Sequence, residues 1–276
     1  MFGQDCVDLG LIFSKSIVAK GEEETMMTYT IRPICTGSQR LDKGWYATFR
    51  RGHGEIIEHP VFAFLIEGGG RKLLVDTGMA DTERSQKYHH EGRQDPGQAI
   101  DEQIQSLGIG LDEIEIIIFT HLHWDHCYNV KKFPKAKLYL SEREYRFALN
   151  PIPFYIKSYE HPSLGIGCPW EGCKFNLVKD EEEIVEGIRA FQTPGHSPGH
   201  MAVSVQTEKG IYILAGDLVF VRENLEPDEE TGWPFYPPGR FYNILELWHS
   251  IEDVKRRGDY IMLTHDPIHF EKEIYP

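Results

Sequence analysis

The sequence predicts an α/β protein of two halves with the same plan, packed as helix, sheet, sheet and helix layers. In each half a hairpin ends at an aspartate, a helix follows, and an apolar strand then ends at Thr-His. Asp76 precedes His121 by 45 residues, and Asp217 precedes His265 by 48 residues. Because strands joined by helices form sheets with helices packed outside, we expect the two halves to lie face to face, with equivalent strand ends at one edge.

The first half is predicted from short apolar runs separated by glycine. Residues 62–66 and 71–75 are apolar and flank a Glu-Gly-Gly-Gly turn, which indicates a hairpin. Helical spacing follows at Ile100, Ile104 and Leu107. Gly108 ends that helix. The run 114–120 is the pattern of a buried strand, and it leads directly into His121.

The second half repeats this order. Three strands are predicted over residues 187–192, 201–206 and 211–215. A helix is marked by Ile244, Leu247, Trp248, Ile251 and Val254. Gly258 closes this helix, and the strand at 260–264 leads into His265.

The domain organisation follows from where this pattern begins. Residues 1–28 are weakly patterned, carry the acidic cluster Glu22–Glu24, and are predicted to form an N-terminal arm. Residues 29–276 are predicted to form a single domain. The stretch 150–180 is rich in proline, glycine and aromatic residues. It is interpreted as a connecting loop with access to the site, and whether it gates the site stays open.

Composition restricts the partners. The formal net charge of −14 disfavours nucleic acid and anionic membranes. The five cysteines are an odd number in a large chain, so no disulfide framework is expected, and Cys168 and Cys173 are interpreted as free thiols. Neither a signal peptide nor a membrane span is apparent, which predicts a soluble, cytoplasmic protein. A small-molecule substrate is expected, and a homodimer is an open alternative to a monomer.

Three imidazoles and a carboxylate lie within the six residues from His121 to His126. These groups are ligands of zinc and similar divalent metals. Alternation places His121 and His123 on one side, so Asp125 and His126 point toward a second position. Further donors are available at His196, Asp217 and His265. The remaining histidines were assigned no role: His53, His59, His89, His90, His161, His249 and His269.

These residues carry a family resemblance. His-x-His-x-Asp-His, Thr-Pro-Gly-His-Ser-Pro-Gly-His, Gly-Asp and Thr-His-Asp together resemble the metallo-β-lactamase superfamily over about residues 29–270. The resemblance implies a four-layer αβ/βα sandwich with a dinuclear site at one edge. One metal would be held by His121, His123 and His196, the other by Asp125, His126 and His265, with Asp217 bridging. By the same resemblance, His200 supports the site and Asp76 orients ligands from outside the ligand sphere.

Within the superfamily, the chain is most similar to the N-acyl homoserine lactone lactonases. That group places a tyrosine three residues after the bridging aspartate, whereas this chain has Phe220, which has no hydroxyl to donate. Either Tyr155 or Tyr242 replaces this donor, or the substrate differs. Aromatic residues near the ligands are candidates for an apolar pocket, with Trp124 and Phe220 foremost.

The resulting hypothesis is a dinuclear metal-dependent hydrolase. A hydroxide bridging the two metals would attack a lactone or related carboxylic ester, with N-acyl homoserine lactone as one candidate substrate. Asp125 would bind one metal and carry a proton to the leaving alkoxide. Two divalent ions are expected, zinc first, although iron, manganese, cobalt and nickel suit the same ligands.

Several alternatives share the metal ligands. A thioesterase of the glyoxalase II type is the nearest, and its anionic substrate would require basic residues such as Arg240. A phosphodiesterase is a second alternative. A non-hydrolytic iron protein of the same fold is disfavoured. A persulfide dioxygenase would use one iron and fewer than the seven candidate ligands, and an oxygen reductase needs an attached flavin domain, for which this length leaves no room unless a separate partner supplies it. A metal-free binding protein is the least favoured alternative.

Overall fold

The computed structural model of the protein describes residues 27–276. Most of the predicted N-terminal arm therefore lies outside the described residues, including Cys6 and the acidic cluster Glu22–Glu24. The side chain of Met27 packs against the apolar core between the two sheets. The division into an arm and a single domain stays a prediction.

The described chain alternates strands and helices. The strands are β1 (Thr30–Asp42), β2 (Ile56–Gly68), β3 (Arg71–Val75), β4 (Glu91–Arg93), β5 (Ile116–Ile118), β6 (Lys137–Ser141), β7 (Phe175–Val178), β8 (Glu181–Val185), β9 (Ile188–Gln192), β10 (Met201–Thr207), β11 (Gly210–Leu214) and β12 (Tyr260–Met262). The α-helices are α1 (Lys43–Tyr46), α2 (Thr82–Tyr88), α3 (Ile100–Ser106), α4 (Trp124–Cys127), α5 (Glu142–Ala148) and α6 (Ile244–Arg257).

The strands form two mixed sheets. The first has seven strands in the order β4-β1-β2-β3-β5-β6-β7, and the second has five in the order β12-β11-β10-β9-β8. In both sheets an antiparallel hairpin is followed by a parallel pair, β3 with β5 and β11 with β12. The carboxyl ends of each parallel pair therefore meet at one sheet edge.

Three apolar interfaces separate four layers. Ile100 and Ile104 of α3 pack against the first sheet, and Leu247 of α6 packs against the second. Between the sheets, residues such as Phe64 from the first meet residues such as Val203 from the second. These faces are apolar because sheets bury one face against each other and the opposite face against helices. The predicted four-layer αβ/βα sandwich is confirmed.

The two halves are joined at equivalent positions. The backbone N–H of Met201 in the second half donates to the carbonyl of Thr120 at 2.8 Å. The N–H of Phe62 in the first half donates to the carbonyl of Thr264 at 3.0 Å. Thr120 and Thr264 each precede the histidine that follows a parallel strand. The pairing thus brings His121 and His265 to a common edge.

Most of the predicted elements are present, and several of the observed elements were not predicted. The hairpin of β2 and β3, helices α3 and α6, and the strands before His121 and His265 are confirmed. The sequence reasoning did not find β6, β7, β8 or helices α2 and α5. Among the described residues, Cys35, Cys127, Cys168 and Cys173 are free thiols, as expected. None of the helices described is both long and apolar enough to cross a membrane.

Candidate metal centre

The seven candidate ligands come together at the shared sheet edge in two groups. In one group the donor atoms of His121, His123, His196 and Asp217 lie within 4.8 Å of one another. In the other the same holds for Asp125, His126 and His265. The grouping matches the alternation expected along the His121–His126 segment. The segment turns into α4 after His123, and this turn directs Asp125 and His126 away from the first group.

Asp217 lies between the two groups. Its Oδ1 is 2.9 Å from Nε2 of His126 and 3.0 Å from Nε2 of His265. Its Oδ2 is 3.3 Å from Nε2 of His196 and 3.9 Å from Nε2 of His121. One carboxylate oxygen thus faces each group, which is the arrangement needed to bridge two cations.

Burial and charge set the protonation of these groups. Burial lowers the pKa of His121 and His123 well below the usual range, and that of His196 to about 4. Burial also acts to lower the pKa of His126, but the carboxylates of Asp217 and Asp76 outweigh it and raise the pKa well above the usual range. The low-pKa imidazoles are therefore neutral at pH 7, with ring nitrogens free to bind a metal.

The donor set fits divalent metal ions. Nε2 of His121 is buried and has no hydrogen-bond partner among the described residues, with Oδ2 of Asp217 3.9 Å away. An unpartnered buried nitrogen costs stability unless another group satisfies it. The first group offers four ligand atoms and the second offers three, which are numbers of protein ligands that zinc and related metals take.

Three of the candidate imidazoles are oriented through the ring nitrogen that faces away from the other ligands. Nδ1 of His126 is 2.8 Å from Oδ2 of Asp76, and Nδ1 of His265 is 2.9 Å from the carbonyl of Pro60. Nδ1 of His196 is 3.4 Å from the carbonyl of Arg240. Such contacts fix ring orientation and tautomer in metal sites. They support the role proposed for Asp76.

His200 takes no part in either group. Its Nε2 accepts a hydrogen bond from the backbone N–H of Asp217 at 3.2 Å, and Nδ1 lies 2.8 Å from Oγ1 of Thr193. Burial lowers the pKa of His200 to about 3, so the ring is neutral and Nε2 is an acceptor. The side chain therefore positions the backbone of Asp217, in keeping with the supporting role expected for it.

The loop that carries His196 needs its two glycines. A Cβ on Gly195 would lie 2.3 Å from Cα of Leu247 in α6, and one on Gly199 would lie 2.0 Å from the backbone nitrogen of Glu144 in α5. Only glycine allows these approaches. The Pro-Gly-His-Ser-Pro-Gly-His segment thus packs closely between α5 and α6, and this packing fixes the position of His196.

Glu144 is a fully buried carboxylate that ties two ligand loops together. It accepts hydrogen bonds from the N–H of Leu122 at 3.2 Å and from the N–H of Gly199 at 3.1 Å. The hydroxyls of Tyr159 and Ser197 donate to it at 2.7 Å each. Burial raises the pKa of Glu144 even though these four donors oppose the rise. The sequence reasoning missed this residue because it lies in a different helix from any ligand.

Replacing Asp76 with asparagine is expected to weaken metal binding about 10- to 100-fold. Asp76 has φ +61, a left-handed conformation that asparagine also adopts, so the backbone is preserved. Oδ2 of Asp76 contacts Nδ1 of His126 and accepts a hydrogen bond from the hydroxyl of Thr120. The asparagine amide is uncharged and has one acceptor oxygen fewer, so it cannot replace both contacts. Competition with a chelator measures the affinity. Asp180→Asn, at an exposed carboxylate, is the matched control, and equal affinities for the two variants would contradict the prediction.

A cavity of about 810 Å³, including open solvent, lies against both groups. Besides His123, Asp125, Asp217 and His265, it is lined by Gln39, Leu41, Tyr46, His89, His90, Trp124, Phe154, Lys157, Ser158, Phe220 and Arg240. The side chain of Gln39 donates to Oδ2 of Asp125 at 2.8 Å. The wall is therefore more polar than the apolar pocket that the aromatic residues predicted.

Trp124 and Phe220 lie in the cavity wall as expected. Phe220 stacks on His265 with ring centroids 5.0 Å apart, and Trp124 stacks on His89 at 4.1 Å. His89 is held in turn by Glu160 at 2.9 Å. His89 and His90, to which the sequence assigns no role, also lie in this wall. No periodicity in the sequence indicates it.

The hydroxyl donors proposed from the sequence lie elsewhere. Neither Tyr155 nor Tyr242 belongs to the cavity lining. The hydroxyl of Tyr155 donates to the carbonyl of Phe241 at 3.4 Å, and Tyr242 is exposed. The tyrosine that lines the cavity is Tyr46, with its hydroxyl 3.2 Å from Nε2 of His90. The expectation that residues 150–180 reach the site is met by Phe154, Lys157 and Ser158.

Comparison with known proteins agrees with this geometry. The N-acyl homoserine lactonase AiiA of Bacillus thuringiensis subsp. kurstaki is 28% identical over 223 residues, covering 77% of this chain and 84% of the relative. AttM of Azorhizobium caulinodans, also an N-acyl homoserine lactonase, is 26% identical over 79% of this chain and 86% of its own.

Solved structures show the same fold. An N-acyl homoserine lactone hydrolase with N-hexanoyl-L-homoserine at its catalytic metal centre superposes with a TM-score of 0.73 at 21% identity, covering 90% of this chain and 96% of that one. The dizinc quorum-quenching lactonase AidC superposes with a TM-score of 0.64 at 17% identity, covering 88% and 92%.

The family model described as the metallo-beta-lactamase superfamily matches residues 56–265, well over half of the chain. The matched region contains all seven candidate ligands and both parallel strand pairs that present them. This chain therefore belongs to the metallo-β-lactamase superfamily, as a metal-dependent hydrolase with a buried site of histidine and aspartate side chains.

Proposed function

We propose that this protein is a dinuclear metallohydrolase that opens a lactone or related carboxylic ester. The observation that carries the proposal is the position of Asp217, with one carboxylate oxygen toward each ligand group. The relatives named as N-acyl homoserine lactonases support the substrate class, and N-acyl homoserine lactones are the first candidates.

The proposed ligands form two sets, one for each metal ion. His121, His123 and His196 would hold one divalent ion, and Asp125, His126 and His265 the other, with Asp217 shared. When bound, two zinc ions would lower the pKa of a water between them and polarise the substrate carbonyl. The outer contacts of Asp76, Pro60 and Arg240 keep the imidazoles oriented.

Asp125 is the proposed proton carrier. Its Oδ2 accepts from Gln39, so the direction of the carboxylate is fixed, and the residue lines the cavity. In this position Asp125 would hold a proton from the attacking water and deliver it to the leaving alkoxide. Without that proton, the alkoxide would re-form the lactone ring.

The residues of the cavity wall would determine which substrate is bound. Phe220 lines the cavity and has no hydroxyl, so it provides apolar contact only. Trp124 and Phe154 add apolar surface, while Tyr46 supplies a hydroxyl on the same cavity. The wall therefore suits a substrate with both an apolar part and a polar part.

A hydrolysis screen on protein of measured metal content tests the proposal. Lactones of varied acyl length, thioesters and phosphodiesters are compared, with proton release followed by pH indicator. We expect two metal ions per chain, zinc foremost, and lactone opening that is lost on chelation and restored by metal. Turnover confined to thioesters or phosphodiesters, or tightly bound redox-active iron without lactone opening, would refute it.

A further inference from the structure

The cavity contains a guanidinium without a carboxylate partner. Arg240 lines the cavity and is half-buried, and it forms no ion pair with any of residues 27–276. One hydrogen bond engages its side chain within this part of the chain, from Nη2 to Oγ of Ser158 at 2.8 Å. A guanidinium has five N–H donors, so most of them are available to a ligand.

The position of Arg240 is fixed on several sides. Its backbone N–H donates to the carbonyl of Tyr46 at 3.2 Å, and its own carbonyl lies 3.4 Å from Nδ1 of His196. The guanidinium lies over the ring of Tyr46, 5.6 Å from the centroid. Ser158, which it contacts, accepts through its carbonyl from the N–H of Trp124 at 2.9 Å. A guanidinium held in this way is preorganised for binding.

No acidic side chain of the cavity lining is available to pair with the guanidinium of Arg240. The lining contains two carboxylates, Asp125 and Asp217, and both are proposed metal ligands. A second cation, Lys157, lies in the same lining and likewise makes no ion pair with the described residues. Burial lowers the pKa of His90 in this wall to about 4, so that ring is neutral at pH 7.

The electrostatic balance requires an anion. Two divalent ions exceed the charge of Asp125 and Asp217, so the loaded centre is itself positive, and Arg240 next to it adds charge of the same sign. A partly desolvated charge without an opposite partner is unfavourable. The positive charge of this site is opposite in sign to the net charge of the chain, which is −14.

We infer that Arg240, supported by Lys157, binds an anionic group of the substrate, so that the lactone or ester carries a carboxylate or phosphate apart from the bond that is cleaved. This inference rests on the proposed function, because it assigns a second contact to the substrate of the same centre. A guanidinium binds both kinds of oxyanion through paired N–H donors. Neutral acyl lactones would lack this contact.

A matched pair of lactones tests the inference. One carries a carboxylate on the ring substituent, the second carries a carboxamide of the same shape, and a third with a phosphate distinguishes the two oxyanions. We expect wild-type protein to prefer an anionic lactone over the carboxamide in kcat/KM. Arg240→Gln should lower kcat/KM for the anionic lactone about 10- to 100-fold and change the carboxamide less than about threefold.

Three further variants isolate the role of the charge. Arg240→Lys should recover part of the preference, and Ser158→Ala, which removes the anchor of the guanidinium, should reduce it. Arg71→Gln removes one charge at an exposed ion pair with Glu115 and should leave the preference unchanged. Equal losses on anionic and neutral lactones in Arg240→Gln would assign the residue to support of His196 and overturn the inference.

Binding gives a readout that does not depend on turnover. Calorimetry on the metal-loaded protein compares glutarate with valerate, which has the same length and one carboxylate fewer. We expect glutarate to bind about tenfold or more tightly, and Arg240→Gln to remove the difference. If this holds while no lactone is opened, the anion site stands and the proposed hydrolysis fails. If lactones are opened but neither test discriminates, the anion site fails and the hydrolysis stands.

Discussion

Asp217→Ala is expected to lower kcat/KM by roughly a thousandfold or more, because two metals in such a site supply several kcal/mol of transition-state stabilisation. Asp217 is the one described residue whose carboxylate faces both ligand groups. Its loss removes a ligand from each proposed metal ion. It also leaves His126 and His265, whose pKa values are raised in large part by Asp217, without their shared counter-charge.

Metal content and activity measured together check this expectation. Elemental analysis should show fewer than two ions per chain in Asp217→Ala, and added metal should restore little activity. Asp180→Ala, at an exposed carboxylate, should retain both activity and metal. Two tightly bound ions and activity within tenfold of wild type would show that Asp217 does not bridge the metals.

Glu144→Ala is expected to destabilise the metal-free fold by about 3–5 kcal/mol. The substitution leaves the N–H groups of Leu122 and Gly199 and the hydroxyls of Tyr159 and Ser197 without their acceptor in a buried region. Each unsatisfied donor costs about 1–3 kcal/mol before relaxation. Glu144→Gln keeps the shape and one acceptor, so a smaller loss is expected.

Urea unfolding of the metal-free protein measures this effect apart from metal binding. Glu142→Ala is the control, because Glu142 lies in the same helix, pairs with Arg146 at the surface and should cost less than about 1 kcal/mol. Since Leu122 lies between His121 and His123 and Gly199 lies in the loop that carries His196, Glu144→Ala should also weaken metal binding. A loss no larger than that of Glu142→Ala would show that the loops are held by other contacts.

The candidate ligands could be predicted because each belongs to a short motif, and the set of motifs resembles one family. His121 to His126 are contiguous, and the repeated order of hairpin, aspartate, helix and strand places Asp217 and His265 at equivalent strand ends. The fold was predictable for the same reason, since apolar periodicity marks the strands that carry these residues. Strand β8 was missed because it begins Glu-Glu-Glu at a sheet edge, where burial imposes no apolar pattern.

The cavity wall was not predictable in this way. Gln39, Tyr46, His90 and Arg240 come from four separate segments, and each reaches the cavity only through tertiary packing. Nothing in the spacing of Tyr46 distinguishes it from Tyr155 or Tyr242, the two donors named from the sequence. Local pattern and the family resemblance thus indicate the candidate metal ligands, whereas the lining of the cavity depends on how distant loops pack together.

The left-handed backbone of Asp76 is retained at a cost to stability. An aspartate at φ +61 costs about 1 kcal/mol relative to glycine. Glycine would relieve this strain, but it would leave the N–H and hydroxyl of Thr120 and Nδ1 of His126 without their acceptor in a buried region, at about 1–3 kcal/mol each. The contacts of the carboxylate therefore outweigh the strain of the backbone. Replacement of left-handed residues by glycine, a common route to more stable variants, is expected to fail at position 76 even in the metal-free protein.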